Sequence, residues 1–231
     1  VFYYSSLKYT VFQPSQCIGT ANFVRLFSDS NFWWTLANSL IFILVTPVIM
    51  VVSLTLALLV RRLKRGGKLF RTMLFLPVVT PIVIAGIVWR WIYAEDAGIL
   101  NYLVSLVGGS QIHWLTDYPT NIISVMLVTL WRGAGYYMMI FLAGLAAIPS
   151  EVEEASLLDG ASALQQAIYI VMPLLRRTLP LVFVISATAA IKLFTELYIL
   201  IPGAPTSNKT LVAYLYNQAF EQFDLGYGSA I

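Results

Sequence analysis

Residue types that carry much enzyme chemistry are scarce in this chain of 231 residues. It has one cysteine, Cys17, and one histidine, His113, which excludes an internal disulfide framework and a metal site built on several such ligands. Charged residues make up 11% of the chain, against about 25% in soluble globular domains. These scarcities argue against a disulfide-rich secreted protein, a metalloenzyme and a soluble domain.

Hydrophobic residues make up 59% of the chain. A helix of roughly 20 apolar residues crosses a hydrocarbon core of about 30 Å. Four segments meet this requirement, at about 34–60, 72–93, 121–142 and 179–201. Pro47, Pro77 and Pro81 lie inside the first two segments, where neighbouring helices can satisfy the freed carbonyl groups. We therefore predict an all-α protein, a polytopic bundle of transmembrane helices, with 1–231 as a single transmembrane domain.

Positive charge is concentrated in the links on one side of these spans. The link between the first two spans holds six cations: Arg61, Arg62, Lys64, Arg65, Lys68 and Arg71. Arg176 and Arg177 close the link between the last two spans, whereas residues 94–120 contain no lysine or arginine. Since loops rich in lysine and arginine stay in the cytoplasm, 61–71 and 143–178 are predicted to be cytoplasmic. Residues 94–120 and 202–225 are predicted to be external.

An acidic helix is predicted in the longer cytoplasmic link, 143–178. Pro149 suits a first helical position, and Glu151, Glu153 and Glu154 follow in the first turns, where the helix dipole favours anions. Two membrane helices need only a short link, yet this one spans about 36 residues. The link is therefore interpreted as a docking surface for another protein, with a solvated amphipathic connector as the alternative.

A glycine bend and a second helix are predicted after the acidic helix. Gly160 stands where a left-handed cap would end the first helix. Ser162 and Gln165, three residues apart, form the capping-box pattern that starts a helix. That second helix is predicted to continue to about Met172.

The same link resembles the EAA motif of the membrane subunits of bacterial ABC importers. The motif reads Glu-Ala-Ala, three residues, Gly, nine residues, Ile-x-Leu-Pro. Here Glu154-Ala155-Ser156 is followed after three residues by Gly160 and after nine more by Ile170-Val171-Met172-Pro173. The spacing is met in full, and two positions depart from the motif, Ser156 for alanine and Met172 for leucine.

Further segments resemble the carbohydrate-type permeases, a group that includes the maltose and glycerol-3-phosphate permeases. These segments are 19–23, 70–72, 76–77, 89–91, 98–101, 114–115, 141–145, 148–149 and 158–162. The segment 201–205 departs from the Thr-Gly-Gly-Gly-Pro turn that is frequent in the family. The resemblance implies the ABC importer type I permease fold, with four full spans here and six in a whole subunit. Residues 1–7 and 226–231 would then belong to the two remaining spans.

The resemblance also implies roles for the link and a set of partners. The residues that would couple the permease to an ATP-binding subunit dimer are Glu151, Glu153, Glu154, Ala155, Ser156, Asp159 and Gly160. Glu154 would anchor this contact to an arginine of the ATPase. A second permease subunit, homologous or identical, and an extracytoplasmic solute-binding protein would complete the importer in the bacterial inner membrane. This chain has no nucleotide-binding signature, so ATP and Mg²⁺ are expected on the ATPase; no cofactor of its own, catalytic residue, metal or nucleic acid partner is expected.

Polar groups inside the predicted spans are candidates for the substrate path. Lys192 and Glu196 lie four residues apart in the fourth span and would share one helix face. Arg132 lies in the third span with Tyr136 one turn away. A charge at membrane depth costs about 2.5–3.5 kcal/mol and usually faces a cavity or a partner. A Lys192–Glu196 pair that neutralises itself is the alternative to contact with the solute.

A sugar or related solute is the expected cargo, and a polyol, sugar phosphate or peptide is the alternative. An ion-driven secondary carrier would need acidic groups within the membrane, and only Glu196 qualifies. A membrane-embedded enzyme would need a nucleophile–base or metal constellation, which Cys17 and His113 do not supply.

Overall fold

The computed structural model describes residues 1–10, 13–63 and 65–231. Lys64 of the basic link lies outside the described residues. Helix dominates, which confirms the all-α class. The helices are α1 (Phe2–Ser5), α2 (Ala21–Ser28), α3 (Ser30–Ile41), α4 (Val45–Arg62), α5 (Gly67–Val79), α6 (Ile82–Ile92), α7 (Ile99–Leu106), α8 (Thr120–Ala146), α9 (Ser150–Leu158), α10 (Ala163–Gln166), α11 (Met172–Leu174), α12 (Thr178–Ile191), α13 (Thr195–Leu200), α14 (Leu211–Tyr216) and α15 (Leu225–Gly228). An antiparallel pair of strands that was not predicted from the sequence, β1 (Leu7–Thr10) and β2 (Gln13–Cys17), lies near the N-terminus.

Two of the described helices are long and apolar enough to cross a bilayer. One is the 33-residue run Ser30–Arg62, in which a 3₁₀ turn at Phe42–Leu44 joins α3 to α4. The other is α8, with 27 residues. These helices contain the predicted first and third spans. The described residues reach four spans if each of two broken helix pairs counts as one span.

The predicted second span is broken at Thr80–Pro81, so the expectation that Pro81 lies within a continuous helix is wrong. Thr80 is extended, with φ −71° and ψ 128°, and α6 begins only at Ile82. The ring of a proline clashes with a helical conformation of the preceding residue, which accounts for this geometry. Pro77, in contrast, lies inside α5.

The predicted fourth span is also broken, between α12 and α13. Lys192 follows the last residue of α12, and Phe194 has φ −136° and ψ −57°. The Leu193 carbonyl accepts a hydrogen bond of 2.6 Å from the Thr210 hydroxyl. A buried hydroxyl outside the helix thus satisfies a backbone carbonyl group at the point where the helical hydrogen bonds are interrupted. Such pairing permits irregular backbone within the membrane.

The described residues divide into two compact units. The first comprises 1–44, 82–128 and 189–231, without the residues that the structure does not describe. Its core includes Leu26, Phe32, Tyr214 and Tyr227, which bring the segment after the β-pair together with the C-terminal segment. Arg25 reinforces this contact through a 2.7 Å ion pair with Asp224 and lies over the Tyr227 ring.

The second unit comprises the described part of 45–81 together with 129–188. Its buried side chains include Ile49 on α4, Met138 and Phe141 on α8, Leu175 after α11, and Val182 on α12. The helices approach closely at Gly135, where a Cβ atom added to the glycine would lie 2.0 Å from the carbonyl oxygen of Leu74. The interpretation of 1–231 as a single transmembrane domain stays a prediction.

Candidate functional site

The predicted acidic helix is present as α9, and it begins at Ser150, one residue after Pro149. Glu151 and Glu154 are exposed, and the backbone of Glu153 lies in the same helix. Leu158, at the end of α9, is 89% exposed. The helix therefore presents carboxylates and a large apolar side chain on its surface, a combination suited to contact with another protein.

The predicted bend and second helix are confirmed. Gly160 has φ +77°, in the left-handed region that favours glycine, and a Cβ atom added there would meet no described atom within 4 Å. The Ser162 hydroxyl accepts a hydrogen bond of 3.3 Å from the Gln165 amide, and the Gln165 side chain accepts one of 2.8 Å from the Ser162 amide. The second helix continues from α10 through a π-helical turn, Ala167–Val171, into α11.

A chain of hydrogen bonds that the sequence did not reveal holds α9 against α4. Gln166 is buried, and its amide nitrogen donates to the Ser156 hydroxyl at 2.9 Å. The Gln166 amide oxygen accepts from the guanidinium of Arg62 at 3.1 Å. We call Ser156, Gln166 and Arg62 the amide relay. It fixes the Ser156 side of α9, while the side chains of Glu151 and Glu154 are exposed.

Replacing Gln166 by alanine is expected to loosen α9. The change removes the hydrogen bonds to Ser156 and from the charged Arg62, which together are worth about 2–4 kcal/mol. Hydrogen exchange of the amides of 150–158 is expected to speed up by about 30-fold or more, as measured by mass spectrometry on the membrane-embedded protein.

Gln165→Ala is the matched control, because among the described residues the Gln165 side chain bonds locally, to Ser162. It is expected to speed exchange at the start of α10 while leaving 150–158 close to the parent rate. Equal exchange rates of the 150–158 amides in the two variants would contradict the prediction that the amide relay stabilises α9.

The candidates for the substrate path fall in different units. Arg132 is half-buried and Tyr136 is 42% exposed, one turn apart on the part of α8 that belongs to the second unit. Lys192 and Glu196 belong to the first unit, where the break after Ile191 separates them. The prediction that they share one helix face is therefore wrong: Lys192 lies in the break and Glu196 in the first turn of α13. A role of any of the four in solute passage stays a prediction.

Glu95 organises the predicted external loop of the first unit. Its carboxylate contacts His113 Nδ1 at 2.6 Å and accepts from the Thr116 hydroxyl at 2.7 Å. Its backbone carbonyl accepts from the amide side chains of Asn101 and Gln111. Across the described residues, no three His, Cys, Asp or Glu side chains form a metal-binding group. The contacts of Glu95 thus tie the loop together.

The strength of the contact between Glu95 and His113 depends on the protonation of both groups. The hydrogen bond to Glu95, with its negative charge, raises the pKa of His113 above the ordinary 6.5. The hydrogen bonds from His113 and Thr116 lower the pKa of Glu95 below the ordinary 4.5. The stabilisation is complete between about pH 4.5 and 6.5; it is lost as pH rises through the raised His113 value or falls through the lowered Glu95 value.

Glu95→Gln is expected to return the pKa of His113 toward 6.5, because the neutral amide no longer stabilises the imidazolium ion. Since the chain has one histidine, an NMR titration of the imidazole reports this group directly. Asp96→Asn is the control, because Asp96 acts on His113 only through its charge and should cause a smaller change. The same titration curve in Glu95→Gln and in the parent would contradict the claim that Glu95 raises the pKa of His113.

Comparison with known proteins identifies the family. The family model of the binding-protein-dependent transport system inner membrane component matches residues 49–231, and the chain belongs to this family. The probable ABC transporter permease protein YurN of Bacillus subtilis (strain 168) is 33% identical, with 98% of this chain and 80% of YurN covered. The arabinooligosaccharides transport system permease protein AraP of the same organism is 31% identical, covering 93% of this chain and 70% of AraP.

A solved structure shares the fold. A chain in the crystal structure of a bacterial alginate ABC transporter, in complex with an alginate pentasaccharide-bound periplasmic protein, aligns with a TM-score of 0.82. The alignment covers 92% of this chain and 76% of that chain, at 23% identity. The ABC permease fold is therefore confirmed, and the chain is a transport subunit of the inner membrane rather than an enzyme.

Proposed function

We propose that this chain forms part of the translocation path of an ATP-driven importer for a sugar or a related solute. A solute-binding protein delivers the solute from outside, and a second permease subunit, homologous or identical, forms the rest of the path. An ATP-binding subunit dimer, which holds ATP and Mg²⁺, contacts α9. Residues 61–71 and 143–178 lie on the cytoplasmic side in this arrangement.

The surface of α9 carries the proposal for the ATPase contact. Glu151, Glu154 and Leu158 are exposed, while the amide relay fixes the opposite side of the helix to α4. A helix that is held on one side and free on the other transmits a displacement of its partner to the attached spans. The acidic side chains fit a basic cleft on that partner, because complementary charge favours specific association.

The solute class is supported by the relatives of this chain. Several of them are named for the transport of arabinooligosaccharides, of trehalose and maltose, and of lactose. Tyr136, which is exposed one turn from Arg132, offers an aromatic face and a hydroxyl of the kind that contacts a sugar ring. These features favour a carbohydrate over a peptide.

The test is reconstitution of the chain with the permease, ATPase and binding protein encoded beside it. The expected result is ATP-dependent uptake of a radiolabelled oligosaccharide that the binding protein retains on purification. A peptide as the retained and transported ligand would overturn the sugar assignment. Uptake driven by an ion gradient in the absence of ATP would overturn the importer itself.

A further inference from the structure

A cavity of about 780 Å³ lies in the first unit, where the predicted second and fourth spans reach the external side. Its volume falls within the roughly 300–1,000 Å³ that is usual for small-molecule sites. The described residues that line it come from the end of α6 and the residues just after it, from Leu115 and Thr116, and from 200–205. The cavity is therefore assembled from distant parts of the sequence within one compact unit.

One face of α6 forms the first wall of the cavity. Ile87, Arg90 and Trp91 line it at spacings of three and four residues from Ile87, which places them on one side of the helix. The indole of Trp91 is 76% exposed, and none of the described aromatic rings stacks on it. Arg90 is exposed as well, and its guanidinium has no hydrogen bond or ion pair to a described residue. This wall thus offers an aromatic face and the five N–H donors of an arginine.

Glu95 and Thr116 add a carboxylate and a hydroxyl to the lining. The Thr116 hydroxyl donates to one carboxylate oxygen at 2.7 Å, and His113 Nδ1 contacts the other at 2.6 Å. A carboxylate has about four lone-pair positions, so Glu95 keeps the capacity to accept further hydrogen bonds. Its two contacts hold the carboxylate in place before a ligand binds, which lowers the entropy cost of binding.

The segment 200–205 completes the cavity and is held by its own hydrogen bonds. The Lys209 ammonium group donates to the Pro202 carbonyl at 3.2 Å. The Asn208 amide donates to the Pro205 carbonyl at 2.9 Å. Each proline ring also fixes the φ angle of its residue. This wall is therefore apolar and restrained, as a preformed site requires.

We propose that this cavity is an external binding site for a sugar ring of the solute, occupied before the solute passes between the spans. A sugar ring presents C–H groups on its faces and hydroxyl groups around its edge. One such ring uses the indole of Trp91, the donors of Arg90 and the acceptor of Glu95 together. An acyl chain would leave the two charged groups without partners, and the Glu95 carboxylate would repel a free phosphate. The proposal rests on the proposed sugar cargo but not on the ATPase contact.

The test measures how far a sugar protects a thiol placed in the cavity of the complete transporter. Gly203→Cys is made in a Cys17→Ser background; Gly203 lines the cavity, and a Cβ atom added to it would meet no described atom within 4 Å. The probes are arabinotriose, maltose, trehalose and lactose at millimolar concentration, without ATP or binding protein. At least one is expected to slow modification by a methanethiosulfonate reagent fivefold or more, as measured by mass spectrometry. Ser105→Cys, exposed on α7 outside this cavity, is expected to keep its rate.

Variants of Trp91 show whether the indole contacts the sugar. Trp91→Ala is expected to raise the sugar concentration that gives half-maximal protection at least tenfold, because the aromatic face is lost. Trp91→Phe keeps a ring and is expected to have a smaller effect. Trp34→Ala is the matched control, since that indole is 57% exposed but does not line the cavity; protection is expected to stay within twofold of the parent.

The remaining outcomes decide against the proposal or separate it from the proposed function. No protection by any of the four sugars, or equal losses in Trp91→Ala and Trp34→Ala, would overturn it. Protection by the unliganded binding protein and by none of the sugars would show a protein-docking surface instead. If Gly203→Cys does not assemble, Ala204→Cys, another lining position, takes its place. Normal protection without ATP-driven uptake would bear on the proposed function alone, and normal uptake without protection would overturn this site alone.

Discussion

Replacing Glu154 by lysine is expected to abolish coupled solute uptake while the protein still inserts into the membrane. Glu154 is exposed in the middle of α9, and lysine and glutamate have similar helix propensities, so the helix persists. Loss of one partner of a partly buried charge pair costs about 2–5 kcal/mol, and reversal of its sign adds repulsion. Uptake is expected to fall at least about 30-fold at equal expression, while ATP hydrolysis continues without transport.

The control reverses an exposed carboxylate that lies outside the predicted link 143–178. Glu221→Lys, in the predicted external segment, makes the same change in net charge and is expected to leave uptake close to the parent rate. Uptake and stimulated ATP hydrolysis are measured together in proteoliposomes. Parent levels of uptake by Glu154→Lys would rule out Glu154 as the anchor of the ATPase contact.

Replacing Gly135 by alanine is expected to destabilise the second unit more than any comparable change in α8. The added Cβ atom would lie 2.0 Å from the Leu74 oxygen and 2.9 Å from the Leu74 carbonyl carbon. Both are backbone atoms, so no side-chain rotation relieves the overlap and α5 must move. Overpacking of this kind costs about 3 kcal/mol, which corresponds to a fall of roughly 6–12 °C in apparent Tm.

Gly133→Ala provides the comparison on the same helix. The described atoms nearest to its Cβ atom belong to the side chains of Ile49 and Tyr137, each 3.4 Å away, and these side chains can adjust. Thermal unfolding in detergent is expected to show Gly133→Ala within about 2 °C of the parent, partly because alanine favours the helix. Closely matching melting temperatures for the two alanine variants would show that α5 does not depend on the close approach at Gly135.

The features of the link 143–178 that were predictable are local ones. The capping box of Ser162 and Gln165 spans three residues, and the left-handed conformation of Gly160 follows from its position after a short helix. Segment length and hydrophobicity were likewise enough to predict the first and third spans as long apolar helices. Each of these signals depends on residues that are close in the sequence, so it can be recognised from one sequence alone.

The features that were missed depend on distant residues. Gln166 meets Arg62 across 104 positions, and the Leu193 carbonyl meets Thr210 across 17. The π turn also escaped prediction: it adds a residue to one turn, so that Gln166, Val171 and Leu175 are buried together where a regular helix would bring Ile170 inward. Contacts between residues so distant in the sequence become visible only in the folded structure.

The hydrogen bond between Ser156 and Gln166 has a mechanical consequence. The two residues are 10 positions apart and lie on either side of Gly160, so the bond closes a ring around this left-handed glycine. A backbone hydrogen bond of 3.0 Å, from the Ala161 amide to the Ser156 carbonyl, also spans Gly160. With the ring closed, α9 and α10 keep a fixed angle. A displacement of the outer surface of α9 is then transmitted to α4, because rotation about the glycine is restricted.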